Sequence, residues 1–554
     1  MTWIHPLSPE VEESVEVLGA KAHGLVVLRR LGLPVPPGFV ISTEVCRAFL
    51  RAGRLPSGFG AQLAEAVAGL EAVTHRRLGG AERPLVVSVR SGASVSMPGM
   101  MSTVLDLGLT TGATTALADE TGDLRFALDS RLRFLTSFAS EVLGVGPATL
   151  AGVDRAPARQ STSTSTSSTT SRLTEAIHDV ERLIAERGGD TVSEDATRQL
   201  ESAVTAVFSS WNTPRAKAYR ELHGIPHDLG TAATVQLMVF GNRDQHSGTG
   251  VAFSRDPSTG EHVPFGEVLF GHQGDDVVLG TSLTGPLSEL ADREPVVWAR
   301  LLSALTRLEE HYRDACYVEF TFEAGELWVL QVRPGRFVGR AAVRVAVDLA
   351  DAGAMGRDEA LLRVSPHHLA QPGTPRFAAT EPGAVFTRGL GASPGVAVGR
   401  VATTADSAVR LAARGPVVLV RPETSPLDMH GLAAASGVVT ARGGPASHAA
   451  VVARSLGKPA VVGAAGLTVD TVGGTVRAGG RTLPEGTLVA LDGTSGEVVV
   501  GEPRVTTSSA DPQLHRLLAW ADDITADEPT GRTEPERLEA AQAVLRRTGR
   551  AAAG

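Results

Sequence analysis

The chain has 554 residues, of which 42% are hydrophobic and 20% charged, and its formal net charge is -9. This length predicts two to four domains, because one hydrophobic core does not grow so large. The acidic balance argues against nucleic-acid binding, and no apolar run approaches the ~20 residues that span a bilayer. With no signal-peptide pattern and only Cys46 and Cys316 as cysteines, we expect a cytoplasmic protein without a disulfide scaffold.

The first ~110 residues combine helix and strand patterns. A buried strand over residues 84–90 delivers Arg90 to a loop of small residues, 91–101, which includes Gly99 and Met100. Such a loop can cradle a polyphosphate through backbone amides while the guanidinium binds its oxygens. The pattern alone is weak, since many glycine loops bind nothing.

Lysine is rare in this chain. Lys21, Lys217 and Lys458 are its only lysines. Where arginine replaces lysine almost everywhere, a remaining lysine indicates a need for a compact, flexible ammonium, although chance also explains one of the three.

Residues 123–145 and 172–222 have helical periodicity. The Ser/Thr run at 161–171 predicts a flexible loop between helices. Residues 241–260 form two turns around a strand, which is typical of a nucleotide lid or of a simple hairpin. Their glycine spacing does not indicate a Rossmann fold, because no helix follows.

Two strands, Cys316 to Phe322 and Leu327 to Val332, are predicted to form a hairpin. Glu319 and Gln331 then project to one side and offer oxygen ligands for Mg²⁺ between phosphates, while Arg333 adds a cation for the transferred group. The alternative is a half-exposed hairpin with polar residues on its wet face.

Residues 340–364 are predicted to be helical, and the prolines that follow indicate a hinge. Short strands alternate with glycines from 384 to 502. The remaining residues are polar, with one helix signal that begins at the cap residue Thr533.

A glycine turn and a short apolar helix flank His448. Gly443 and Gly444 let the backbone approach an anion, and the free N–H groups at the helix start hold negative charge. Ser447 and Arg454 complete this loop and helix. The placement suits an imidazole that takes up a phosphoryl group, although a surface histidine that caps a helix fits the same pattern.

Seven segments, taken together, closely resemble the pyruvate phosphate dikinase family. They occur in the family's order and span roughly residues 15–520; in chain order they are LGAKAHGL, LGLPVPPGFVISTE, VSVRSGASVSMPGMM, VFGNRDQHSGTGVAFSRDPSTGE, LQVRPG, ETSPLDMHGLAAASGVVTARGGPASHAAVVARSLGKPAVVG and LDGTSGEVVVG.

The resemblance implies a multidomain α+β and α/β protein. It places an ATP-grasp nucleotide-binding domain at 1–335, with the Ser/Thr loop at 161–171 inside it, and a helical hinge at 336–380. A swivelling β/β/α phosphohistidine domain follows at 381–505, and a polar C-terminal tail occupies 506–554.

The resemblance also assigns roles to individual residues. His448 resembles the phosphocarrier, and Glu319 and Gln331 resemble the pair that contacts metal and nucleotide. The remaining candidates are ATP- and phosphate-binding residues (Lys21, Arg90, Gly99, Met100 and Arg333) and residues that support the phosphohistidine loop (Gly443, Gly444, Ser447 and Arg454). The implied reaction converts ATP, phosphate and pyruvate to AMP, pyrophosphate and phosphoenolpyruvate with Mg²⁺. A covalent carrier that swings between two sites separates the two half-reactions.

The chain departs from the family in several places. Tyr317 stands where the family usually has aspartate, and Ala20 replaces the second glycine of a pair. Ala446 replaces the threonine that is phosphorylated in plant members, so that control is expected to be absent. Only about 30 residues follow Ile524, against the ~250 of a TIM barrel that binds pyruvate and phosphoenolpyruvate.

We therefore expect a phosphotransferase that needs a barrel on another chain to complete the pyruvate half-reaction, with a homodimer as one compatible assembly and with no nucleic-acid or membrane partner. A second hypothesis is a catalytically silent nucleotide-binding regulatory protein. A third is phosphotransfer to a different small molecule, as in rifampicin phosphotransferases, although no acceptor domain is evident between residues 336 and 384.

Overall fold

The computed structural model describes most of the chain, namely residues 2–95, 97, 100–150, 166–186, 192–274, 276, 284–335, 337–369, 375–378, 383–445, 447–507, 511–526 and 531–549. The chain forms two compact units. The first comprises Met1–Arg243 and Trp328–Val332, and the second comprises Asp244–Leu327 and Arg333–Gly554. The second unit thus begins inside the range 1–335 that was predicted for one domain. No helix within the described ranges is long and apolar enough to cross a membrane.

The first unit is built on a five-stranded sheet of order β1-β2-β7-β5-β6. The strands of this sheet are β1 (Ile4–Pro6), β2 (Gly38–Ile41), β5 (Val87–Gly92), β6 (Thr103–Leu107) and β7 (Ala232–Leu237). A separate two-stranded sheet pairs β3 (Arg77–Leu78) with β4 (Pro84–Leu85), and the helices of the unit complete it. Its helices are α1 (Val15–Arg30), α2 (Thr43–Ala52), α3 (Phe59–Thr74), α4 (Thr111–Thr121), α5 (Leu124–Glu141), α6 (Pro147–Leu150), α7 (Thr166–Glu186), α8 (Ala196–Ser210) and α9 (Pro214–Leu222). One core joins sheet and helices, with Val89, Phe134 and Leu200 fully buried in it.

The loop predicted from the Ser/Thr run is wrong for residues 166–171, which belong to α7; residues 161–165 lie outside the described part of the chain. The reason is tertiary packing. Leu173, Val180 and Ile184 form an apolar stripe that is buried in the core of the first unit. Such a stripe stabilises a helix even where Ser and Thr are indifferent helix formers.

The first part of the second unit is built on a sheet of order β10-β9-β8-β11-β12, whose edge strand β12 contributes residues Trp328–Val332 to the first unit. Its elements are β8 (Gly248–Phe253), β9 (Phe265–Phe270), β10 (Gly285–Pro286), α10 (Glu289–Arg293), α11 (Pro295–Tyr312), β11 (Cys316–Glu323) and β12 (Glu326–Pro334). The predicted hairpin β11–β12 is confirmed, and the positive φ angles of Ala324 and Gly325 form its two-residue turn. The segment 241–260 is neither a lid nor an isolated hairpin, because β8 is a fully buried central strand.

A helical part combines residues on both sides of the predicted phosphohistidine domain. It contains α12 (Gly339–Asp351), α13 (Arg357–Arg363) and the two C-terminal helices α17 (Pro512–Thr525) and α18 (Glu534–Thr548). They share one core, in which Leu361, Leu517 and Leu538 are fully buried.

The expectation of a polar tail over 506–554 is therefore wrong for α17 and α18. The helix predicted at the cap Thr533 is confirmed, and its capping box with Glu536 is present. The weaker pattern of α17 was missed. Its burial needs partners on α12 and α13 that lie more than 140 residues away in the sequence, so local patterning gives little sign of it.

The remaining part of the second unit is an eight-stranded sheet of order β14-β24-β23-β16-β17-β18-β19-β15. Its strands, together with those of two small sheets, are β13 (Pro375–Phe377), β14 (Val385–Arg388), β15 (Leu390–Ser393), β16 (Val396–Ala402), β17 (Val417–Arg421), β18 (Gly437–Thr440), β19 (Ala460–Val462), β20 (Thr468–Asp470), β21 (Thr475–Ala478), β22 (Arg481–Pro484), β23 (Leu488–Asp492), β24 (Glu497–Val500) and β25 (Val505–Thr507). Helices α14 (Ala405–Ala412), α15 (Met429–Ala434) and α16 (His448–Ser455) complete it. The parallel strands β16 to β19 carry α14 to α16 in their connections, so this part has the β-and-α layering expected of the predicted domain.

We predict that Leu538→Ala lowers the free energy of unfolding of the helical part by about 2–4 kcal/mol, because it leaves a cavity in a fully buried site. Differential scanning calorimetry should show the unfolding transition at a lower temperature. Val472→Ala, at a side chain that is 98% exposed, serves as the control and should leave the scan unchanged. Equal scans for the two variants would show that α18 does not contribute to this core.

Candidate functional site

His448 is the first residue of α16 and follows a glycine turn. Gly443 has a φ of 89°, a conformation that glycine adopts without strain. The half-buried ring is oriented by Thr424, whose Oγ1 lies 3.1 Å from Nδ1. When Nδ1 carries the proton and donates to Oγ1, the lone pair of Nε2 is available for nucleophilic attack.

Burial is the main cause that lowers the pKa of His448 below its usual 6.5, and the negative charge of Asp428 opposes this shift. Asp428 is itself held by Arg421 at 3.3 Å and accepts hydrogen bonds from Ser425. The ring is therefore neutral at pH 7, which is the state that a nucleophilic imidazole needs.

The start of α16 is suited to an anion. Ser447 is the N-cap residue, its hydroxyl makes no cap hydrogen bond, and its buried Oγ has no hydrogen-bond partner among the residues that the structure describes. Backbone N–H groups in a first helical turn have no partner within the helix and attract negative charge.

Arg454 holds the loop before His448 in place. It donates to the carbonyl oxygen of Pro445 at 2.6 Å and to that of Ala392 at 2.8 Å. Burial lowers the pKa of Arg454 to about 10, and the nearby Tyr317 and Glu267 oppose that shift. The predicted support of the loop by Arg454 thus has a direct structural basis in these two bonds.

The face of the sheet that carries Glu319 is defined by the strand register. Glu319 lies opposite Val251, which in turn lies opposite Glu267. Residues opposite each other in antiparallel strands project to the same face, so the two glutamates are roughly 10 Å apart on one side of the sheet. Glu267 is fully buried and accepts a hydrogen bond from Thr284 at 2.6 Å.

The loop that precedes His448 lies against this face. A Cβ atom added at Gly444 would overlap the carboxylate of Glu267. A larger residue at this position would require Glu267 or the loop to shift, and the contact brings the loop before His448 to the sheet that bears Glu319.

The residues around Glu319 fit a magnesium ion held between phosphates. Glu319 is partly exposed, with Oε1 4.0 Å from Arg333 Nη2. Gln331 lies on β12, the neighbour of β11, and is 4% exposed. One carboxylate and one amide oxygen are enough where nucleotide phosphates supply the remaining ligands. Within the described ranges, no cluster of three or more His, Cys, Asp or Glu forms a protein-only metal site.

Lys21 and the loop after Arg90 are brought together in the first unit. Gly19 breaks the helical geometry of α1 with a φ of 73°, and the Ala20 N–H donates to Ala93 at 3.0 Å. A Cβ at Gly92 would lie only 3.2 Å from Lys21 Cβ. Arg90 donates to the side chain of Gln236 and to the Leu330 carbonyl. These contacts place Lys21 at the glycine turn after β5, while the guanidinium of Arg90 lies toward Gln236 and β12.

The two remaining candidates for ATP binding are Gly99 and Met100. Gly99 lies outside the described residues. The Met100 side chain is buried in an apolar cluster with Trp211 and Ile225, so only its backbone is available to a nucleotide.

Lys458 has a structural role: its ammonium binds the carbonyl oxygens of Leu432, Ala433 and Ala435 at the end of α15.

Sequence reasoning missed Thr424, Asp428 and Glu267. The first two lie in the segment ETSPLD, which carried part of the resemblance but was not read residue by residue. The role of Glu267 depends on strand register and on the contact with Gly444, and neither is visible in its neighbours along the chain.

We predict that the titration midpoint of His448, measured by NMR of histidine-labelled protein, lies below 6.5. Asp428→Asn should lower it further, because that variant removes a charge that favours the imidazolium. Asp406→Asn is the matched control: it removes an equal charge from an exposed aspartate that pairs with His430 at 3.0 Å, and it should leave the His448 midpoint unchanged. A His448 midpoint above 6.5 would contradict the site geometry.

Most of the chain is similar to known proteins. Residues 56–284 match the model "Pyruvate phosphate dikinase, AMP/ATP-binding domain", and residues 413–496 match "PEP-utilising enzyme, mobile domain". Pyruvate, phosphate dikinase 2 of Zea mays is 42% identical over 92% of this chain and 58% of its own length. The pyruvate, phosphate dikinases of Rhizobium meliloti and Clostridium symbiosum are 41% and 39% identical, over 92% and 94% of this chain and 58% and 60% of their own lengths. The chain therefore spans somewhat more than half of these relatives, carries both of the matched domains, and belongs to the pyruvate phosphate dikinase family.

Proposed function

We propose that this chain is a phosphotransferase in which ATP, with phosphate and Mg²⁺, phosphorylates His448 and yields AMP and pyrophosphate. The observation that carries the proposal is the contact of the His448 loop, at Gly444, with the sheet face that bears Glu267 and Glu319. That contact brings a neutral imidazole to the same face as the carboxylate best placed for a nucleotide-bound metal ion.

The first step forms a bond between Nε2 and the β-phosphorus of ATP and breaks the bond from that phosphorus to the bridging oxygen of AMP. Thr424 keeps the ring oriented through Nδ1 while the lone pair of Nε2 attacks. A phosphate oxygen then attacks the terminal phosphorus, so pyrophosphate leaves and one phosphoryl group stays on His448.

Cations and backbone amides stabilise the charge that moves in these steps. Lys21 and Arg90 would bind phosphate oxygens in the first unit, and Arg333 would act beside Glu319. The start of α16 with Ser447 would hold the group transferred to His448. Mg²⁺, held by Glu319 and Gln331, would neutralise adjacent phosphate oxygens when bound.

Phosphohistidine is then the donor toward an acceptor. The names of the relatives indicate pyruvate, with phosphoenolpyruvate as the product. We propose that a barrel domain on a separate chain supplies this acceptor site and that the His448 part swivels about the segment 336–380 to reach it. A cytoplasmic location fits ATP as the donor and the two free, buried cysteines.

A second candidate is a silent nucleotide-binding regulator. Tyr317 favours it, because a phenol replaces a carboxylate two residues before Glu319 and cannot serve as a hard ligand for Mg²⁺ at neutral pH. This candidate predicts ATP binding without formation of AMP.

We predict that β-labelled ATP with Mg²⁺ and phosphate places one acid-labile label on the chain, whereas γ-label leaves as pyrophosphate. Without phosphate, both labels should remain on the protein. His448→Ala should abolish labelling, and the control His430→Ala, at an exposed histidine of the same domain, should retain it. Unlabelled wild-type protein, or label that survives His448→Ala, would end the proposal.

We also predict that Glu319→Gln lowers the rate of His448 phosphorylation by roughly 10²-fold and raises the Mg²⁺ concentration needed for half-maximal rate. Glu326→Gln, at an exposed position of the same hairpin, should behave like the wild type. A Mg²⁺ dependence that Glu319→Gln leaves unchanged would remove Glu319 from the metal site.

A further inference from the structure

Tyr317 lies on β11, in the sheet that the loop before His448 contacts through Gly444. Its ring packs on Phe253 with centroids 5.0 Å apart and an angle of 58° between the planes. Val251 and Leu269 line the same small apolar cluster. The side chain therefore belongs to an apolar surface and not to a ligand set.

Arg454 approaches the same surface from the phosphohistidine side. Its guanidinium carbon is 5.7 Å from the centroid of the Phe253 ring, within reach of a cation–π interaction. The charges of Arg454 and Glu267 act on each other and on the Tyr317 phenol. Together with the contact between Gly444 and Glu267, these residues form the docking contact, which we define as Phe253, Glu267, Tyr317, Gly444 and Arg454.

The charge balance of the docking contact explains why a tyrosine suits it. A tyrosine phenol carries no charge at neutral pH, so it adds none to this contact. One carboxylate, Glu267, then faces one guanidinium, Arg454. The charged groups that act on Tyr317 are Glu267 and Glu319 on one side and Arg333 and Arg454 on the other. An aspartate at 317 would add a third carboxylate to these two cations, and docking would have to strip water from it.

We propose that Tyr317 is a positioning residue that makes the docked arrangement, with the His448 loop against the Glu319 face, the resting state of this chain. Tyr317 stacks on Phe253 within the sheet, and this aromatic pair persists when the two surfaces separate. Separation removes Arg454 from the aromatic pair and exposes the pair to water. This inference rests on the proposed function, because docking matters only if His448 must also leave this face.

The proposal is tested without chemistry by distances between two spin labels in the nucleotide-free chain. Val296→Cys and Val472→Cys provide exposed label positions, on α11 and in the phosphohistidine part, and both native cysteines are buried. Double electron–electron resonance should give one dominant distance in the chain with Tyr317. Tyr317→Asp should lower the ratio of docked to undocked populations at least tenfold, and Tyr317→Phe should retain the dominant distance.

Arg454→Met provides a second variant from the opposite side of the contact and should also populate longer distances. Thr306→Asp, which adds the same charge on the exposed surface of α11, is the control and should change nothing. Identical distributions for Tyr317→Asp and the wild type would overturn the proposal, as would a loss of docking in Tyr317→Phe equal to that in Tyr317→Asp. Failure of the phosphorylation assay would leave these distances unaffected, so the two proposals fail separately.

Discussion

The contact between a glycine and a buried carboxylate governs the chemistry available to this chain. At Gly444 a Cβ atom would overlap the carboxylate of Glu267, so a larger residue there would have to displace Glu267 or the loop before His448. The register of β8, β9 and β11 places Glu319 on the same face as Glu267. Backbone fit and strand pairing thus bring the loop of the proposed nucleophile to the face that carries the proposed metal-binding carboxylate.

The histidine itself is prepared by its surroundings. Burial keeps the ring neutral, Thr424 fixes its orientation, and Asp428 limits how far the pKa falls. The anion-binding groups at the start of α16 act on the product of the transfer, since they favour added negative charge next to the ring. Burial and Thr424 leave the lone pair of Nε2 available, and the start of α16 would stabilise the phosphoryl group that Nε2 is proposed to accept.

Local patterns in the sequence were sufficient for the helix that begins at His448, for the β11–β12 hairpin and for the helix at Thr533, because each depends on neighbours within a few residues. The sequence did not reveal α17 or the helical start at Thr166, since both are stabilised by distant packing partners. Lys458 misled for the opposite reason. The small number of lysines suggested that each one has a chemical role, whereas the ammonium of Lys458 binds carbonyl oxygens at the end of α15. The resemblance supplied the roles of Glu319 and Gln331, but only the register could connect Glu319 to Glu267.

The central claim is that Nε2 of His448 receives phosphorus from ATP. The most direct measurement is ³¹P NMR of chain carrying ¹⁵N-labelled histidine after incubation with ATP, Mg²⁺ and phosphate. The account predicts a single phosphohistidine resonance with coupling to Nε2, while Nδ1 stays protonated toward Thr424. A resonance coupled to Nδ1, or no phosphohistidine signal in a chain that still binds ATP, would contradict it.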